Sequence, residues 1–138
     1  MVVAAGDGLN PSPATTTPAP ALLGLAHRGL REAALATAPG ERYSLAHLAA
    51  LRAAAAVLAC RAVPRGKGRP RSAWVLLAEV APELTEWAAF FAAGAPKRAA
   101  AEAGMRGVVT PREADDLLRD AQSFLSVIET TLQSQLAV

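Results

Sequence analysis

A chain of 138 residues has room for one domain built on a single hydrophobic core. Apolar residues make up 52% of it and aromatics only 4%, so alanine and leucine must fill that core, and both favour helix. A formal charge of +2 does not by itself indicate nucleic acid, and a lone cysteine, Cys60, excludes a disulfide framework or a cysteine-rich metal site.

Residues 1–20, ending in "NPSPATTTPAP", lack periodic apolar positions and read as a disordered Pro/Thr/Ala-rich tail. They also lack the basic region and continuous apolar run of a secretory signal. No stretch reads as a membrane span, since the most apolar one, "LAHLAALRAAAAVLAC", is interrupted by His47 and Arg52. The expectation is a cytoplasmic protein with no membrane contact and a folded domain over residues 21–138.

The first helix is predicted over Ala21 to Thr37, with Leu22, Leu25, Ala26, Leu30, Ala33 and Ala34 as its apolar stripe. After the break at "APGE", a second helix is predicted from Glu41 to about Val63. Its apolar residues run nearly all round, which places it at the centre of the bundle. The loop "PRGKGRP" follows, and Ser72 can cap a third helix carrying Trp74, Leu77, Val80, Leu84, Trp87 and Phe91. Pro82 lies inside that pattern and predicts a kink or restart. "GAPKRAAAEAG" predicts a turn, a short helix beginning at Pro96, and a stop at Gly104. Thr110, Pro111 and Glu113 give the last helix an N-cap, a first-turn proline and a capping-box acid. The sum is an all-α, up-and-down four-helix bundle with an additional short helix.

Three stretches, "ERYSLAHLAALRAAAAVLA", "RSAWVLLAEVAPELTEWAAFFAAG" and "VTPREADDLLRDAQSFLSVIE", resemble the HEPN superfamily (higher eukaryotes and prokaryotes nucleotide-binding), and within it an actinobacterial branch. The resemblance covers Leu22 to Leu132 and rests on helix order and pattern. It implies a helical bundle, often homodimeric, in a superfamily of metal-independent ribonucleases and of nucleotide- or RNA-binding modules. It also implies that an active member carries Arg-x(4–6)-His near the start of a late helix, acting across a dimer cleft.

Arg42 and His47 have that spacing and are the candidate catalytic residues, yet they sit at the start of the second helix, with Tyr43 after the arginine. Five residues apart on a helix, they point about 140° away from each other. In the late region no histidine follows Lys97, Arg98, Arg106 or Arg112, so the group that would move a proton near neutral pH is missing there.

The densest positive stretch is the junction with Arg61, Arg65, Lys67, Arg69 and Arg71, which has no acid among them. Arg65, Lys67, Arg69 and Arg71 are the candidate phosphate-binding residues, without an interleaved aromatic to stack bases. Phe90 and Phe91 cannot both face one core, so one of them marks a candidate dimer surface. Glu113, Asp115, Asp116 and Asp120 are explained by capping and by pairs such as Arg112 with Asp116, so no metal and no cofactor is expected. His27 is assigned to the surface, and Cys60 to packing. The reading is a non-catalytic HEPN-like binding or interaction module, expected to be a homodimer, with RNA, a nucleotide or a partner protein as ligand. The alternatives are a metal-independent endoribonuclease using Arg42 and His47, and a structural adaptor accepting a partner helix.

Overall fold

The computed structural model describes residues 18–61 and 71–136. Five α-helices follow in chain order: α1 (Ala19–Leu35), α2 (Pro39–Cys60), α3 (Ala73–Val80), α4 (Thr85–Glu102) and α5 (Pro111–Leu136). A 3₁₀ turn over Pro82–Leu84 links α3 to α4. No strand occurs among the described residues, so the fold is all-α, as the composition requires.

Most of the tail expected over residues 1–20 lies outside the described residues, but its last two residues already belong to α1, with Pro18 as N-cap. Proline is tolerated in a first helical turn because the amide hydrogens there have no helical acceptor. At Pro82 the expected interruption is present: α3 stops at Val80, and the chain re-enters helix at Thr85.

The expectation for "GAPKRAAAEAG" is corrected. No turn forms there, and α4 runs unbroken through Gly94 and Pro96 to Glu102. Pro96 removes one hydrogen bond to the carbonyl of Ala92, and both residues are exposed, so water can satisfy that oxygen. The additional short helix of the bundle is therefore α3. The stop itself lies at Gly104, whose φ of +84° suits a residue without a side chain.

At α5 the capping box is complete. The Glu113 amide donates to Thr110 Oγ1 at 3.0 Å, and the Thr110 amide donates to the Glu113 carboxylate at 2.9 Å.

α2 packs against α1, α3, α4 and α5, which confirms its central place. Ala46, Ala49, Ala50, Ala53, Ala54 and Ala56 are all buried on it, and so small a surface lets neighbouring helices approach closely. Large side chains fill the remaining space from α3, α4 and α5. Trp74 stacks on Phe91 with ring centroids 5.2 Å apart, and Phe91 meets Phe124 at 4.9 Å.

α2 is also long and apolar enough to cross a membrane by length and composition, and half of its most apolar stretch is buried. Its contacts with four other helices account for that apolarity as core packing.

Candidate functional site

Arg42 occupies the first turn of α2, and its guanidinium is turned to the end of α1. Nε donates to the Ala33 carbonyl at 3.0 Å, and Nη2 donates to the carbonyls of Ala34 and Ala36 at 3.1 and 2.8 Å. Nη1 pairs with Asp115 of α5. The last turn of α1 has no basic residue of its own, and Arg42 supplies charged donors to its terminal carbonyls, of which Ala33 also accepts from the Ala36 amide at 3.2 Å.

His47 points elsewhere. It is 1% exposed and lies against α3 and α4, with its ring edge-on to Trp74 at 5.9 Å and to Phe91 at 6.0 Å. Its Nε2 is 2.8 Å from the Phe91 carbonyl oxygen, which can only accept, so Nε2 carries the hydrogen and Nδ1 is a lone-pair acceptor. Burial holds its pKa below the ordinary imidazole value, and nearby Arg98 acts in the same direction; the bond to Phe91 and the charge of Glu102 oppose them. The imidazole is therefore neutral and shielded from solvent. The structure does not bring Arg42 and His47 together: one caps a helix, and the other is a core side chain.

Between these two residues lies Tyr43, buried against α4. A Cβ on Gly94 would sit 2.8 Å from the Tyr43 hydroxyl, so this close approach requires glycine. Burial raises the Tyr43 pKa, with Lys97 opposing and Glu113 reinforcing the rise. Lys97 bonds to Glu113 across the α4–α5 seam, which raises the pKa of the lysine and lowers that of the glutamate.

Of the candidate phosphate-binding residues, Arg65, Lys67 and Arg69 lie outside the described residues. Arg71 forms an ion pair with Glu79. Arg61, at the other end of the same junction, bonds to the Val80 carbonyl at 3.1 Å, Glu83 at 2.9 Å and Gln135 at 3.3 Å. Arg61 thus caps α3 much as Arg42 caps α1, so each end of α2 closes the C-terminus of a neighbouring helix. Nothing in the sequence pattern signals either set of bonds.

Phe91 is fully buried and Phe90 is 45% exposed, so Phe90 is the one of the two that faces outward. His27 lies on the surface, where it meets Glu129 at 2.8 Å, a partner 102 residues away. Arg112 pairs with Asp116 at 3.9 Å, and Arg119 also pairs with Asp116. Cys60 is exposed at the end of α2 and not packed. Among the described residues no group of histidine, cysteine, aspartate and glutamate has the arrangement of a metal site.

The outer face of α2 carries Leu48, Leu51, Ala55 and Leu58, all only partly buried. Their spacing of three, four and three residues matches the apolar seam by which a helix packs on a partner helix. Leu51 also packs against the core, whereas Leu48, Ala55 and Leu58 are not among the residues doing so.

No curated protein and no solved structure matches the chain. The model of the SAV_6107-like HEPN family matches residues 33–129, from the end of α1 through most of α5 and including both Arg42 and His47. By that match over well over half of its length, the chain belongs to the SAV_6107-like HEPN family.

Proposed function

We propose that the chain is a non-catalytic HEPN-like binding module that self-associates through the outer face of α2. The observation that carries this reading is the separate commitment of Arg42 and His47. The arginine holds the carbonyls of Ala33, Ala34 and Ala36, and the imidazole is bonded to Phe91 inside the core. A ribonuclease of the metal-independent kind needs the same two groups at an exposed phosphate, with the imidazole free to exchange a proton. The partly exposed stripe of Leu48, Leu51, Ala55 and Leu58 supports a helical partner, and a second copy presents the same stripe to the first. The junction residues Arg65, Lys67 and Arg69 are the proposed contacts to the phosphates of a bound RNA or nucleotide.

Light scattering tests the association. The wild-type chain should have the mass of a dimer, and Leu48→Glu with Leu58→Glu should give a monomer of unchanged helicity. A wild-type monomer at high protein concentration would overturn self-association. RNA binding should weaken with salt and with replacement of Arg65, Lys67 and Arg69 by alanine. EDTA-resistant RNA cleavage that disappears in His47→Ala would overturn the non-catalytic reading.

A further inference from the structure

α1 and α5 form between them a cleft of about 310 Å³, to which α2 contributes no lining residue. Its floor is apolar, since the lining residues Leu30 and Leu125 are 7% and 3% exposed. Its walls are polar. His27 and Arg31 stand one turn apart on α1, and Gln122 and Ser126 stand one turn apart on α5, so each helix offers one face to the cleft. His27 is already engaged by Glu129 at 2.8 Å. Arg31, Gln122 and Ser126 have no hydrogen bond or ion pair with any described residue. Arg31 is therefore an uncompensated positive charge above an apolar floor, with an amide and a hydroxyl on the wall opposite.

We infer that this cleft is a binding site for a small organic monocarboxylate with an apolar body. The planar guanidinium of Arg31 presents paired donors that match the two oxygens of a carboxylate. The Gln122 amide and the Ser126 hydroxyl can donate from the other wall. Leu30 and Leu125 give the apolar body a surface from which it displaces water. The volume lies at the small end of ligand clefts, which suits a single ring or a short branched chain.

Charge decides between anions. A dianion such as inorganic phosphate finds one uncompensated cation here, and the Glu129 carboxylate on His27 adds negative charge beside it. It also leaves the apolar floor uncovered. A cation is disfavoured by Arg31 itself.

Titration of the isotope-labelled full chain with phenylacetate, followed by amide chemical shifts, tests the site. Phenylacetamide and inorganic phosphate are the comparison probes. Saturable shifts should gather at Leu30, Arg31, Gln122, Leu125 and Ser126, and both comparison probes should bind at least about tenfold more weakly. Arg31→Gln should weaken phenylacetate by at least about tenfold with unchanged helicity, because it alters an exposed side chain that has no partner in the fold. Arg28→Gln, on the same helix but outside the cleft, should leave the affinity as it is. Absence of saturable shifts at these residues, or unchanged affinity in Arg31→Gln, would overturn the inference. Equal binding of the amide or of phosphate would do the same. An equal loss in Arg28→Gln would reduce the effect to general charge attraction and overturn it as well.

Discussion

His47 donates its Nε2 hydrogen to the carbonyl oxygen of Phe91 at 2.8 Å, and both residues are sealed inside the bundle. The bond joins α2 to α4 and sets the tautomer of the neutral imidazole, with the hydrogen on Nε2. It also gives the protein a pH response. Burial depresses the folded-state pKa, while the unfolded chain takes up a proton near the ordinary value of about 6.5. Between those two values the unfolded state binds more protons, so stability falls as pH falls through about 6.5 and levels off below the folded pKa. The urea midpoint should drop between about pH 7.5 and 5.5. His47→Gln, whose amide can still donate to Phe91, should remove that drop. Glu83 and Glu113, whose pKa values are lowered by Arg61 and Lys97, act at more acidic pH, where their contribution is lost as pH falls through their folded values.

Gly94→Ala should destabilise the fold despite the better helix propensity of alanine. The gain of about 1 kcal/mol in helix propensity is opposed by overpacking of about 1–3 kcal/mol against the Tyr43 hydroxyl, 2.8 Å from the new Cβ. In a Tyr43→Phe background the obstructing oxygen is gone, and the same substitution should become neutral or stabilising. Urea denaturation of the two single variants and the double variant checks that change of sign.

Arg42→Ala should cost about 2–3 kcal/mol, because it leaves the carbonyls of Ala33, Ala34 and Ala36 without their charged donor. Arg42→Lys should recover less than half of the loss, since a single ammonium cannot reproduce the planar fork that reaches all three. Asp115→Asn should cost less than about 1 kcal/mol, as that carboxylate is 52% exposed. Chemical denaturation of these three variants separates capping from ion pairing.

Thr110→Ala should cost about 1 kcal/mol by removing the acceptor for the Glu113 amide at the start of α5. Hydrogen exchange should locate the loss in the first turn of α5, with little change at its far end.

The sequence by itself determined what depends on neighbours along the chain. The capping box at Thr110 and Glu113, the restart at Pro82 and the apolar all-round pattern of α2 each lie within a few residues, and each was legible. The tertiary structure decided what depends on how helices dock. Arg42 and His47 have a suggestive spacing, but their 140° separation on α2 sends one to the end of α1 and the other to α4. Gly94 and Pro96 look like a turn until Tyr43 is seen to need the glycine, while Pro96 lies on the exposed side. Arg61 with Val80 and Glu83, and His27 with Glu129, are pairs that no local pattern announces. Alanine explains much of this division: it favours helix strongly, but its small side chain scarcely specifies which helix will lie against it. Those choices were made by the larger side chains, where Trp74, Phe91 and Phe124 fit together and Trp74 and Phe91 close on His47.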